Sequence, residues 1–203
     1  MHTHDHIHLR LLQPGESHLV QDVFDQMSAQ SRFLRYHAVT PRLTAAALRH
    51  LSAVEPGRHT VVVAVRRMRD TAAGCAGVRE RGVGLARWIR LHNETATAEL
   101  AVDVSDSYQG GGLGKALVAA AAASATTSGI THFLATVHPE NRLVQSALRR
   151  LGARPRPGRP ADLYLPVTAL ADRNERAPAP EIVVPWPRAV RRTGPAAGAP
   201  RRP

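Results

Sequence analysis

The stretch at residues 99–115 constrains the fold more than any other part of the chain, because it runs from a predicted strand into a glycine-rich loop. Its first six residues alternate in polarity, with apolar side chains at every second position, Leu100, Val102 and Val104. A period of two is typical of a strand with one buried face. The pattern breaks at residues 105–107, Ser-Asp-Ser, a composition that favours a turn.

The loop at residues 109–115 has the sequence Gln-Gly-Gly-Gly-Leu-Gly-Lys, and residues 116–128 after it are rich in alanine. Alanine favours a helix, and Gly129 stands where a helix stop is expected. A strand, a glycine loop and a helix in this order direct free backbone N–H groups and the positive end of the helix at an anion. The stretch therefore predicts a site for a phosphorylated cofactor.

The spacing of the glycines selects among phosphate-binding loops. A Walker A loop would need glycine at Gln109 and a hydroxyl at Ala116, and a G-x-G-x-x-G loop would need glycine at Lys115. The spacing that fits is Q-x-x-G-x-G, with Gln109, Gly112 and Gly114 at the fixed positions. It resembles the pyrophosphate loop of the GNAT superfamily, the N-acetyltransferases that use acyl-CoA.

The region after the loop resembles the same family. Residues 131–137 predict a strand, and a helix with apolar residues at helical spacing follows, from about Asn141 to a predicted C-cap at Gly152. This segment is similar to the second cofactor motif of GNAT proteins, in which the asparagine borders the pantetheine arm of CoA.

A run near the N-terminus narrows the resemblance. Residues 31–36, Ser-Arg-Phe-Leu-Arg-Tyr, look like a run in the acetyltransferase module of bacterial Pat-type protein lysine acetyltransferases. In GNAT folds this region borders the acceptor groove. Phe33, Leu34 and Tyr36 are therefore either core residues or contacts to the acceptor, and the sequence leaves both open.

The remaining elements are predicted from hydrophobic periodicity. They are strands at residues 7–11, 60–65, 83–91 and 162–167 and helices at residues 16–29 and 44–51. Residues 66–82, which include Cys75, lie between two of these strands as a long polar insertion that we expect to be mobile.

The resemblance implies an α/β (α+β) protein with the GNAT fold, a mixed central β-sheet flanked by helices, in which a splayed strand pair holds CoA. It covers residues 7–168. Residues 1–6 are expected to be a flexible histidine-rich lead-in, for which metal binding through alternating histidines is the less favoured alternative, and no metal site is predicted. Residues 169–203 are rich in proline and arginine and predict disorder, with docking of the apolar Ile182–Trp186 as the alternative.

The resemblance also implies which residues bind the cofactor, namely strand backbone groups, loop amides and one asparagine. These are Val102, Val104, Gln109, Gly110, Gly111, Gly112, Leu113, Gly114, Lys115 and Asn141. Two positions depart from the family. Gly111 stands where a basic residue is frequent, and Leu148 stands where a tyrosine often protonates the leaving thiolate. His138, Ser146 and water remain as alternatives for that proton.

Acyl transfer to an amine benefits from a base, because a lysine-like amine has a pKa of about 10.4 and its deprotonation at neutral pH costs roughly 4–5 kcal/mol. In Pat-type modules the glutamate of the A-E-L-A strand opening is the proposed base, acting through water, and here it is Glu99. Asp103 is the second candidate, and a β-bulge common in such strands could change which face it shares. The family geometry implies that the backbone N–H of Val102 stabilises the oxyanion.

Composition places limits on the partners. The net charge is +11, and Lys115 is the only lysine, so the other basic residues counted are arginines. No zinc-finger or RNA-recognition pattern accompanies them, so nucleic acid is not favoured as a partner. No apolar run is long enough to span a membrane, the first ten residues lack a signal-peptide core, and Cys75 is the only cysteine. We therefore expect a cytoplasmic protein.

The function predicted from the sequence is that of an enzyme, an acetyl-CoA-dependent N-acetyltransferase that acetylates a primary amine by direct attack. Protein lysine and small-molecule amines both fit as acceptors. Two alternatives remain, a CoA-binding sensor or scaffold without activity and a basic nucleic-acid-binding protein on a GNAT frame. The oligomeric state does not follow from the sequence.

Overall fold

The computed structural model describes residues 5–70, 77–171 and 182–186, and strands in these ranges form one sheet. The strands are β1 (Asp5–Leu11), β2 (His59–Asp70), β3 (Gly77–Arg90), β4 (Thr97–Val104), β5 (His132–Thr136), β6 (Arg154–Arg156), β7 (Arg159–Pro166) and β8 (Ile182–Trp186). Their order across the sheet is β6-β7-β5-β4-β3-β2-β1-β8. The pair β4–β5 is parallel and the other neighbours are antiparallel, so the sheet is mixed, as predicted.

Helices cover both faces of the sheet. In the described ranges they are α1 (Ser17–Asp25), α2 (Ala29–Tyr36), α3 (Ala45–Leu51), α4 (Leu113–Thr127), α5 (Arg142–Arg150) and α6 (Thr168–Ala171), with a 3₁₀ turn at Asp106–Tyr108. The helix α4 packs in one core cluster with residues of β2, β3 and β4, whereas α1 and α3 pack in a second cluster with Val61, Val63 and Leu85. None of the helices in these ranges is long and apolar enough to cross a membrane.

The alanine-rich sequence of α4 lets it lie close to the sheet. Its buried face consists of Leu113, Leu117, Val118, Ala121, Ala122 and Ala125. The indole N–H of the fully buried Trp88 on β3 donates to Ser124 Oγ at 2.8 Å. A buried indole N–H left without a partner would be costly, so this bond favours one position of α4 along β3.

The parallel pair β4–β5 opens into the predicted splay. Thr97, Ala98 and Glu99 pair with residues 132–134 of β5, and beyond Glu99 the described residues of the two strands no longer pair. On its other side β4 stays paired with β3 as far as Val104. A gap therefore opens between β4 and β5 toward their carboxyl ends.

The predicted helix at residues 16–29 is shorter in the structure, and a second helix begins at its predicted end. α1 ends at Asp25, and Ser28 begins α2 as an N-cap whose side chain accepts a hydrogen bond from Ser31 N–H at 3.1 Å. The α2 helix contains the run at residues 31–36, for which no helix was predicted. Serine favours caps over helix interiors because its hydroxyl competes for backbone groups, and this signal was missed.

The prediction of a mobile insertion at residues 66–82 is wrong for the part that the structure describes. β2 continues to Asp70 and β3 begins at Gly77, so the two strands form a long hairpin. Polar side chains in this hairpin find partners, since Glu80 accepts from Arg10 Nη2 of β1 at 2.6 Å and from Arg67 Nε at 3.1 Å. Residues 71–76, with Cys75, lie outside the described residues.

The chain termini also differ from the prediction. β1 begins at Asp5, two residues before the predicted strand, and residues 1–4 lie outside the described part. Leu170 of α6 is 2% exposed and belongs to the core, so the domain extends past residue 168. Within the segment for which disorder was favoured, Ile182–Trp186 forms β8, antiparallel to β1. Residues 172–181 and 187–203 lie outside the described ranges.

The predicted ends of α4 and α5 are close to those observed. α4 begins at Leu113 rather than at residue 116 and ends before Gly129, which has a φ of 74°. α5 ends with Leu151 as its C-cap, and Gly152 follows with a φ of 98°. The short strand β6 was not predicted.

Candidate active site

The opened side of β4 presents backbone groups to the gap. At the two ends of this strand, Thr97 O accepts a hydrogen bond from the residue after β3 at 2.9 Å, and Ser105 N–H donates to a β3 carbonyl at 3.0 Å. Backbone groups alternate in direction along a strand, and the register of β4 against β3 is continuous. The backbone groups of Val102 and Val104 therefore point toward the gap, where no described residue of β5 pairs with them.

The side chain of Gln109 closes the turn after β4. Its Nε2 donates to Val104 O at 3.0 Å and to Asp106 Oδ1 at 3.2 Å. The other carboxylate oxygen of Asp106 accepts from Ser28 N–H at 3.1 Å, which ties the turn to the start of α2. Gln109 thus holds the loop in place, and its contact with the cofactor stays a prediction.

The loop ends in the first turn of α4. Gly110 and Gly112 have φ angles of 80° and 90°, which favour glycine, and Gly112 is the N-cap of the helix. Among the described side chains none caps this end, and the first turn holds no acidic residue. The first N–H groups of a helix have no intrahelical partner, so these groups can donate hydrogen bonds to an anion, with the exposed Lys115 beside them.

Packing does not require glycine at position 114. A Cβ added there would meet Val104 Cγ2 at 3.8 Å, an ordinary contact. Glycine in a helix costs about 0.8–1.0 kcal/mol relative to alanine, so the fold alone would favour alanine. Cβ atoms at Gly110 and Gly112 would likewise meet nothing within 4 Å. The loop is an open backbone cradle, which fits a bound phosphate group.

Glu99 and Asp103 lie on the same face of β4 in different surroundings. The bulge expected in β4 is absent from its pairing with β3, and the register shift lies instead between β2 and β3, near Val83. Glu99 is exposed, whereas Asp103 is 3% exposed and its Oδ1 lies 2.7 Å from Arg35 Nε of α2. An exposed carboxylate can exchange protons with water, so the geometry favours Glu99 over Asp103 as a base.

Two residues of this face, Arg35 and Arg87, were not singled out from the sequence as site residues, and Tyr36 was left open there as a core residue or an acceptor contact. Arg35 and Tyr36 come from α2, and Arg87 comes from β3 opposite Ala101. Burial, followed by the charge of Asp103, raises the pKa of Tyr36, which keeps its phenol protonated as a hydrogen-bond donor. Burial, followed by the charge of Arg35, lowers the pKa of Arg87. An arginine inside the apolar run at residues 83–89 was the available signal for Arg87.

The segment after β5 contacts the end of α2. His138 packs against the ring of Phe33 with centroids 4.9 Å apart and against His37 at 5.3 Å. Phe33, Leu34 and Tyr36 are each partly exposed, and Tyr36 packs against the core cluster that holds α1 and α3. Contact of these residues with the acceptor stays a prediction.

The helix α5 places the other candidate residues. Asn141 is its N-cap, with Oδ1 accepting from Val144 N–H at 3.2 Å, and its contact with pantetheine remains a prediction. Leu148 is 7% exposed and packs in the core. Ser146 lines an outward groove of about 540 Å³ together with Arg142 and Arg149. Because this groove is formed by α5 and Pro139, it gives no support to Ser146 as the proton donor.

Comparison with known proteins shows the family of this chain. Residues 7–154 match the family described as an acetyltransferase (GNAT) domain. The acetyltransferase Pat of Mycolicibacterium smegmatis is 30% identical over 151 residues, which are 74% of this chain and 42% of that protein. The chain belongs to the GNAT acetyltransferase family, whose members use acetyl-CoA and acetylate amines. It spans less than half of the length of this curated relative.

Solved structures support the fold. The GNAT domain of S. lividans PAT has a TM-score of 0.65 at 23% identity, covering 78% of this chain and 88% of that one. A phosphinothricin acetyltransferase from Sinorhizobium meliloti, solved in complex with AcCoA, has a TM-score of 0.56 at 19% identity, covering 78% of this chain and 86% of that one. At these identities the likeness is one of fold.

Proposed function

We propose that this chain is an N-acetyltransferase that moves an acetyl group from acetyl-CoA to a primary amine, either a protein lysine or a small-molecule amine. The observation that carries the proposal is the gap beside β4. Its backbone groups at Val102 and the N–H of Val104, which pair with no described residue of β5, lead to the open glycine cradle at the start of α4. A cytoplasmic location accompanies the proposal, because acetyl-CoA is available there.

The residues of the chain fit the parts of acetyl-CoA in order along the gap. The amides of Gly110, Gly112 and Gly114 and the charge of Lys115 suit the pyrophosphate. The backbone groups of Val104 and Val102 suit the pantetheine arm, which has amides of its own. We assign Asn141, the N-cap of α5, to the same arm. Gly111 contributes only an amide, so Lys115 supplies the nearby positive charge.

The reaction requires one new bond and one broken bond. The amine nitrogen attacks the thioester carbonyl, the new N–C bond forms, and the C–S bond breaks to release CoA as a thiolate. The amine gives up a proton to the carboxylate of Glu99, directly or through water, and the thiolate takes up a proton. We assign the N–H of Val102 to the carbonyl oxygen, where negative charge develops.

Fewer candidates for the proton donor to the thiolate remain than the sequence left open. Leu148 has no proton to give, and Ser146 lines the outward groove on α5. His138 lies just after β5, at the carboxyl end of the strand that borders the gap, and water is the remaining alternative.

Two measurements test the proposal. Calorimetric titration with acetyl-CoA should show binding, and in a thermal-shift series CoA should stabilise the protein more than ATP or NAD does. A screen of primary amines and lysine peptides should then show acetyl transfer. Equal stabilisation by ATP would contradict the cofactor assignment. Tight acetyl-CoA binding without transfer to any amine would favour the inactive CoA-binding protein.

A further inference from the structure

Arg87 is a buried cation without a direct partner. The residue is 8% exposed, and its Nη1 is enclosed with no hydrogen-bond partner. Within the described part of the chain its guanidinium forms no ion pair or hydrogen bond. A buried charge costs free energy unless an opposite charge or several hydrogen bonds compensate it. An arginine in this state has binding capacity that the folded chain itself does not use.

Of the two carboxylates near Arg87, one is paired with another arginine and the other lies in solvent. Along β4, the residue opposite Arg87 is Ala101, so Glu99 and Asp103 are its diagonal neighbours. Asp103 pairs with Arg35 at 2.7 Å, and Glu99 is exposed to solvent. Apart from the exposed Glu99, two arginines, Arg35 and Arg87, face the single charge of Asp103. An additional negative group on this face would then be stabilised.

The residue opposite Arg87 has a small side chain. Ala101 has the smallest side chain after glycine, and it is partly exposed although the neighbouring Asp103 and Arg87 are buried. Diagonal neighbours on adjacent strands are roughly 7–8 Å apart at their Cα atoms, within reach of long side chains. A ligand over Ala101 can therefore contact Arg87 and Glu99 together.

We propose that the acceptor carries a carboxylate a few bonds from its amine and that Arg87 binds this carboxylate while the amine lies at Glu99. The inference rests on the proposed function and narrows its substrate class. Guanidinium groups suit carboxylates because two N–H donors match the two oxygens. The carboxylate can belong to a free amino acid or to an acidic residue beside a lysine in a peptide.

Matched acceptors test the proposal. One pair is β-alanine and β-alaninamide, and the other is the N-acetylated, C-amidated dipeptides Asp-Lys and Asn-Lys. In the wild-type protein the carboxylate member of at least one pair should have a kcat/KM at least tenfold higher. Whichever pair shows the preference identifies the source of the carboxylate. Arg87→Met should remove the preference, mainly through a higher KM, whereas Arg49→Met on the exposed surface of α3 should keep it.

Two further measurements separate this inference from the proposed function. Arg87→Lys keeps the charge and should retain part of the preference. It therefore tests the inference even if Arg87→Met does not fold. Binding of N-acetyl-β-alanine and its amide in the presence of CoA should show the same Arg87-dependent preference by calorimetry, even without acetyl transfer. Equal binding and equal rates for acid and amide members in the wild type would overturn the inference. A preference that survives in Arg87→Met would overturn it too.

Discussion

The Nε of Arg35 lies 2.7 Å from Oδ1 of Asp103, which ties α2 to β4 on the face that carries Glu99. Asp103 is 3% exposed and the side chain of Arg35 is 21% exposed, so the pair is shielded from solvent on one side only. The pair holds α2 over the sheet and neutralises the carboxylate that the sequence offered as a second candidate base.

Breaking this pair should destabilise the fold. Arg35→Met leaves a buried carboxylate without its direct partner, and we expect a loss of about 2–4 kcal/mol in the free energy of unfolding, at the lower end for a partly exposed pair. The double variant Arg35→Met/Asp103→Asn should recover part of this loss. Urea unfolding of both single variants and the double variant measures the coupling. Strictly additive losses would contradict a direct interaction between the two residues.

The variant Glu99→Gln tests the base. It keeps the size of the side chain but cannot take the proton, so kcat should fall about 10²-fold or more near neutral pH. Part of this loss should return at high pH, where more of the amine is already deprotonated. Acetyl-CoA affinity should be unchanged, because backbone groups on the other side of β4 are assigned to the cofactor. An unchanged profile of kcat against pH would assign the base to Asp103 or to water.

The variant Gly114→Ala separates stability from binding. Alanine should raise the free energy of unfolding by up to about 1 kcal/mol, because Gly114 lies in a helix and its Cβ has room. The same methyl group should weaken acetyl-CoA binding, because it covers the backbone of the cradle. Calorimetry and urea unfolding measure the two effects.

Gly129→Ala, at the other end of α4, serves as the control. Gly129 has a φ of 74°, so alanine there should cost about 1–2 kcal/mol of stability and leave the affinity for acetyl-CoA unchanged. If both variants changed affinity equally, the cradle would have no special role.

His59 should make stability depend on pH. Burial, with smaller contributions from Arg87 and His50, lowers its pKa to about 4 from an ordinary 6.5. Between these values the unfolded chain binds a proton that the folded chain excludes, so stability is lost as the pH falls from 6.5 toward 4. Over this pH range the free energy of unfolding of His59→Phe should fall by up to about 3 kcal/mol less than that of the wild type. Parallel stability curves for the two proteins would argue against a neutral buried histidine.

Removal of residues 172–203 should leave a folded domain that binds acetyl-CoA. The cut spares Leu170, which is in the core, but it removes β8 from the edge of the sheet. Three strands separate β8 from β4, so the gap should not change. We expect cooperative thermal unfolding at a lower Tm and unchanged affinity. A truncated chain that unfolds without cooperativity would make β8 an essential part of the sheet.

The helix pair at the start of the domain shows where local patterns were insufficient. Residues 16–29 have continuous helical periodicity, but the chain bends after Asp25, where Gln26 Nε2 donates to Gly82 O of β3 at 2.8 Å. At Gly82 a Cβ would lie 2.1 Å from Leu19 O, so glycine permits the close approach of α1. Neither contact can be inferred from residues 16–29, because the partner lies on a distant strand.

The sequence alone determined the parts of the site that depend on neighbours along the chain. The alternation at residues 99–104, the glycines of the loop and the alanines of α4 specify strand, cradle and helix through local backbone preferences. Only the tertiary structure decided what depends on distant contacts. Glu99 and Asp103 look alike in the sequence, and it is the packing of Arg35 from α2 that buries one carboxylate and leaves the other in water. The apolar neighbours of Arg87 in the sequence indicate burial, but which charges surround it depends on β4 and α2, because charge pairing is a property of the assembled fold.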